Sequence, residues 1–90
     1  MVYITAVHMA DGNSGHEHIA SVRWWNPATR TSGESTRATM VDWINDGGDA
    51  RVQGDYGDVK VRVVDASPPY IRTHANGVWT DNLLALPRYY

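Results

Sequence analysis

The sequence contains no cysteine, so neither disulfide bridges nor thiolate metal ligands can stabilise the chain or carry its chemistry. Phenylalanine is absent too, and the aromatic share rests on four Trp and five Tyr, rings that each carry a polar group. No apolar run approaches the roughly 20 residues that a membrane-spanning helix requires. Residues Met1 to Thr5 show neither the positive nor the apolar region of a signal peptide, so a cytoplasmic protein without a membrane partner is expected. Neither sign of charge dominates. A formal net charge of −2 excludes bulk attraction to nucleic acid or to an anionic membrane and leaves only local patches. Repeats and low-complexity tracts are missing as well.

What is there is a chain of 90 residues, read as one domain over residues 1–90. A domain of this size buries only roughly 60–65% of the surface its unfolded chain exposes. A well-filled aromatic core or self-association must therefore supply the rest of its stability.

Val2 to Met9 alternates and is rich in Val, Ile, Thr and Tyr, as a strand should be. Asp11-Gly12-Asn13-Ser14-Gly15 is turn chemistry, and Glu17 to Trp25 reads as a second strand that completes a hairpin. Asn26-Pro27 ends it, and Thr31 to Glu34 adds a short third strand. Ser35 or Thr36 is placed to cap a helix to about Asp46, on which Met40, Trp43 and Ile44 share the face expected to pack on the sheet. Gly47-Gly48 stops it.

Ala50 to Gln53 reads as a brief strand, followed by a turn at Gly54-Asp55-Tyr56-Gly57. From Asp58 to Asp65, Val59, Val61 and Val63 point one way and Lys60 and Arg62 the other. Ser67-Pro68-Pro69 breaks the ladder. Tyr70 to Ala75 and Val78 to Thr80 flank Asn76-Gly77, the favoured pair for a type I′ turn, which sets His74 opposite Trp79. Asp81 is expected to cap a short helical turn through Leu83, Leu84 and Leu86, closed by Pro87. The fold class is α+β: a mostly antiparallel sheet of four to six strands, one α-helix packed on one face, and a short C-terminal helical turn.

Tyr70-Ile71-Arg72-Thr73, Asn76-Gly77 and Asp81-Asn82-Leu83-Leu84-Ala85-Leu86-Pro87 together resemble the C-terminal signature of a small bacterial family, domain of unknown function 3892. Tyr3-Ile4-Thr5-Ala6-Val7, and Met40-Val41-Asp42-Trp43-Ile44 before Gly47-Gly48, are similar to its other blocks. The resemblance implies a bacterial protein of this α+β fold and brings no activity or catalytic residues. The His-rich turn around Glu17 and the doubled Trp24-Trp25 depart from the family's pattern, so it assigns them nothing.

Three constellations are candidates for function. If the first hairpin pairs so that residue numbers sum to 26, Val2, Ile4, Ala6 and His8 share a face with His18, Ala20, Val22 and Trp24. His8, His16 and His18 then converge, and three imidazoles plus water suit a hydrolytic zinc. Glu17 points away, and solvated histidines near a turn are the plainer explanation. No cofactor is therefore expected, with zinc the alternative.

The second constellation is the outer sheet face, where Tyr3, Thr5, Ser21, Arg23 and Trp25 alternate outward and Lys60 and Arg62 turn away from the valines. Rings mixed with cations suit single-stranded nucleic acid, although a wet sheet face ordinarily carries charge for solubility. The third is the aromatic excess itself. Trp25, Trp79 and Tyr89-Tyr90 are candidates for a homodimer contact.

Phosphate loops, calcium loops and nucleophile elbows find no match. The favoured reading is a non-enzymatic binding module, working through Tyr3, Arg23, Trp25, Lys60, Arg62, His74 and Trp79, with itself, another protein or single-stranded nucleic acid as partner. The alternative is a zinc-dependent hydrolase.

Overall fold

The computed structural model describes residues 1–10, 15–54 and 57–89. Seven strands form one sheet: β1 (Val2–Met9), β2 (Ile19–Asn26), β3 (Thr31–Thr36), β4 (Ala50–Gly54), β5 (Gly57–Val64), β6 (Tyr70–Ala75) and β7 (Val78–Thr80). Their spatial order is β3-β2-β1-β4-β5-β6-β7. Every neighbouring pair is antiparallel except β1 and β4, which run parallel through Val2↔Ala50 and Tyr3↔Arg51. The α+β class stands. The strand count exceeds the expected four to six because each short segment, down to the three residues of β7, joins the same sheet. A radius of gyration of 12.0 Å equals the value of about 12 Å expected of a compact chain this long.

Helix α1 (Arg37–Asn45) begins where Thr36 takes an extended conformation and its Oγ1 accepts the Thr39 N–H at 3.2 Å. It stops in a Schellman arrangement: Gly47 N–H donates to Ile44 O at 3.0 Å and Gly48 N–H to Trp43 O at 2.9 Å. Gly47 has φ +100°, which only glycine adopts without strain. Met40 and Val41 are buried, and Ile44 packs against the core. Trp43 corrects its expected position. At 37% exposure it sits on the helix flank, and Val41 takes the buried place instead.

The core gathers Val2, Ile4, Val7, Ile19, Val22, Val52, Val61, Ile71 and Leu83 with the helix residues. Val61 is buried and Val63 packs on this cluster, while Lys60 and Arg62 are exposed, as the alternation of β5 requires.

The first hairpin departs from its expected register. Ile4 pairs with Trp24 and Val7 with Val22, so the residue sum is 28, then 29, with a shift between Ile4 and Ala6. Thr5 is the extra residue of a β-bulge, which reverses the alternation beyond it. Val7 turns inward and becomes fully buried, while Ala6 and His8 turn outward. Without the bulge, Ile4 and Val7, three residues apart, would face opposite sides. The second strand starts at Ile19, not Glu17, because His16–His18 form a 3-10 turn. The turn residues 11–14 and 55–56, like Tyr90, lie outside the described residues.

Asn76 (φ 53°) and Gly77 (φ 79°) make the turn between β6 and β7, and His74 pairs with Trp79 as expected. After β7 the chain makes the expected short helical turn, in which the Ala85 N–H donates to Asp81 O at 3.2 Å. Asp81 does not cap. Its carboxylate accepts from Arg72 Nη2 at 2.9 Å. Leu83 inserts fully into the core, and the chain then lies beside β1, where Val7 N–H donates to Pro87 O and Tyr89 N–H to Val7 O. This contact occupies the part of the β1 edge that β4, paired only with Val2 and Tyr3, leaves open. Among the described residues no helix is long and apolar enough to cross a membrane.

Candidate functional site

Cross-strand partners stand side by side on one face, about 5 Å apart. Tracing them through the sheet gives one continuous row: Ser32 on β3, Trp25 on β2, Tyr3 on β1, Arg51 on β4, Lys60 on β5, His74 on β6 and Trp79 on β7. From Trp25 to Trp79 the row spans five strand intervals, about 24 Å. Arg23 and Arg62 stand two residues along β2 and β5 from Trp25 and Lys60, on the same face. All seven residues singled out on the sheet surface thus share one side. Arg51, at the centre of the row, escaped the sequence reading. Its signal was the alternation of buried Ala50 and Val52 on either side of it.

Aromatic rings stand at Trp25, next to the Ser32 end of the row, and at Trp79, its other end. Trp25 is 38% and Trp79 is 40% exposed. Trp79 packs edge-on against His74, ring centroids 4.8 Å apart, which fixes both rings. Lys60, Arg62, His74 and Trp79 also rim an open groove whose other side is the helix end at Ile44, Asn45, Gly47 and Gly48.

Charge varies along the row. Arg51 forms a two-pronged pair with Asp49, Nε–Oδ1 3.0 Å and Nη2–Oδ2 2.9 Å, and lies 4.0 Å from Asp58. That hydrogen bond holds the Asp49 carboxyl below its usual range and raises Arg51. Tyr3 donates its hydroxyl to Asp58 at 2.7 Å, which raises the Tyr3 pKa. With Arg51 set against both Asp49 and Asp58, the centre carries one more negative charge than positive. Arg72, beside Arg62 in the next pairing, is held by Asp81. Among the described residues Lys60 and Arg62, like Arg23 on β2, have no carboxylate within 4.0 Å, so unpaired positive charge stands on β5 as well as on β2.

Arg23 stacks its guanidinium 4.2 Å above the Tyr89 ring. Tyr89, whose hydroxyl is 2.8 Å from Ser21 Oγ, folds the C-terminal segment over this side of β1 and β2. Burial raises its pKa.

The histidines do not converge as the sum-26 register placed them. His8 pairs with Ser21, not His18, and its Nδ1 lies 2.8 Å from the Tyr89 carbonyl. A carbonyl only accepts, so the proton sits on Nδ1. His18 is half-buried beside Glu17 at 3.7 Å. His16 is buried at 6% exposure, and its Nε2 has no hydrogen-bond partner among the described residues. Burial, then the neighbouring Arg72, lowers its pKa. Among the described residues no three His, Asp or Glu side chains come close enough to hold a metal ion. The bulge at Thr5 and the turn at His16–His18 break up the set.

The family model of DUF3892, described as a protein of unknown function, matches residues 3–87. The chain belongs to the DUF3892 family. The match takes in the resembling blocks from Tyr3 to Pro87 and every residue of the row. No curated protein and no solved structure matches the chain.

Proposed function

We propose that this DUF3892 protein is a non-enzymatic binding module that holds single-stranded nucleic acid across the outer face of its sheet. The observation that carries the reading is the row Trp25–Tyr3–Arg51–Lys60–His74–Trp79. Exposed indoles at both ends offer stacking platforms, and Lys60 and Arg62 offer phosphate contacts beside one of them. The net charge of −2 confines the attraction to that local patch, so affinity is modest and falls with salt.

The test is fluorescence anisotropy with a labelled oligonucleotide of mixed sequence at low and physiological salt. The expected result is saturable, salt-weakened binding. Trp79→Ala and Trp25→Ala each cost about 1–3 kcal/mol, the worth of one stacked base. Absence of binding at low salt, or unchanged affinity in both variants, refutes the reading.

A second reading concerns self-association and rests on a separate observation. Among the described residues strand β7 pairs only with β6, and it carries Val78, 61% exposed, on one face and Trp79 on the other. An apolar, unprotected edge of this kind invites pairing with its equivalent in another copy. Sedimentation at high micromolar concentration then shows a species of twice the 10.0 kDa chain mass, and Val78→Lys returns it to monomer. A 10.0 kDa species alone at that concentration refutes this dimer.

A further inference from the structure

On the helix-bearing side, between α1 and the paired β2 and β3, lies a cleft of about 270 Å³ walled by Trp24, Trp43, Met40 and Val2. Among the described residues no charged side chain lines it, so an ionic ligand would lose its hydration without compensation. Two glycines shape the walls. A Cβ at Gly33 would run into the Trp24 ring, and one at Gly48 into the Trp43 ring. Neither glycine has a positive φ, so backbone conformation does not require them. Glycine inside a strand weakens it, yet Gly33 stands within β3. What both provide is a seat that lets an indole lie against the backbone and leave the cleft open. Trp24 is further fixed by its Nε1–H, which donates to Ser35 Oγ at 3.1 Å.

The polar groups at the cleft have defined roles. Asn26 Oδ1 already accepts from the Ala28 and Thr29 N–H groups at 3.0 and 3.4 Å, so its amide N–H groups remain to donate. Thr39 Oγ1 accepts from Thr36 at 3.0 Å and keeps its own O–H to donate. An apolar cavity of about 150 Å³ admits benzene, so this cleft has room for one or two fused rings. We propose that the cleft binds a small neutral aromatic molecule bearing a hydrogen-bond acceptor, its rings against the two indoles and its acceptor toward Asn26 and Thr39.

The test is an NMR titration of the full chain with quinoline at neutral pH, where it is uncharged, and with benzoate as the charged comparison. Quinoline is expected to saturate and to shift the indole N–H signals of Trp24 and Trp43, while benzoate does not bind. Trp43→Ala removes one wall and weakens quinoline at least tenfold. Thr39→Phe, at an exposed position in the first helical turn, fills the cleft and does the same, and it carries the test should Trp43→Ala unfold. Trp25→Ala and Trp79→Ala, on the other face, leave quinoline affinity unchanged, which separates this site from the nucleic-acid surface. Failure to saturate, equal binding of benzoate, shifts centred on Trp25 or Trp79, or unchanged affinity in the cleft variants overturns the proposal.

Discussion

At the scale of single residues, His16 is the most consequential polar group in the interior. An imidazole that is 6% exposed, with no partner for its Nε2 among the described residues, forfeits a hydrogen bond it would make in water. Its pKa is lowered in the fold, by burial and then by Arg72, with Asp81 and Glu17 opposing. The unfolded chain therefore takes up a proton near the ordinary value of about 6.5 while the folded chain resists it. The contribution of His16 is intact above that value and is lost as pH falls from there toward the lowered pKa. Melting temperature should drop between neutral pH and about pH 5, before the carboxylates titrate. His16→Leu, which removes the unpaired nitrogen and keeps apolar volume, should flatten the drop and raise stability at low pH by about 1 kcal/mol. Equal slopes in the two proteins would show that another group sets the dependence. Asp49, lowered by its bond to Arg51, acts only below about pH 4, where its protonation weakens that pair.

At the scale of elements, the β1 bulge decides which side chains form the core. It gives a discriminating pair of substitutions. Simple alternation from Val2 and Ile4 would bury Ala6 and expose Val7, but Val7 is fully buried and Ala6 pairs with exposed Arg23. Val7→Ser should therefore cost about 2–4 kcal/mol in denaturant melts, from lost burial and an interior hydroxyl. Ala6→Ser should stay within about 0.5 kcal/mol. The reverse order would rule out the bulge. At the helix start, Thr36→Ala should cost about 1 kcal/mol and Thr36→Asp little, since the Thr39 N–H needs only an acceptor. Element boundaries at Asn26-Pro27, Gly47-Gly48 and Asn76-Gly77 were legible because each needs a residue with unusual backbone freedom or a missing donor. The bulge was not legible, because a period of two carries no mark for one extra residue. Only the three-residue spacing of Ile4 and Val7 hinted at it. The His8–His16–His18 grouping depended on that register and dissolved with it. Trp43 was misplaced because helical spacing cannot tell the centre of a buried face from its flank.

At the scale of the whole molecule, the outer sheet face survives the register error. A shift in residue sum from 26 to 28 preserves parity, so Tyr3 and Trp25 stay outward and adjacent. The placement of Lys60 and Arg62 followed from the valines of β5, and that of His74 opposite Trp79 from the Asn76-Gly77 turn. Strand order was beyond the sequence, and it is strand order that joins these separate hairpins into one row through the parallel contact of β1 and β4. Binding across this row is checked by an amide NMR titration of the full chain with a short single-stranded oligonucleotide. Perturbations should run along Trp25, Tyr3, Arg51, Lys60, His74 and Trp79 and fade as salt is raised. No perturbation at low salt, or perturbations confined to the helix-bearing face, would contradict it.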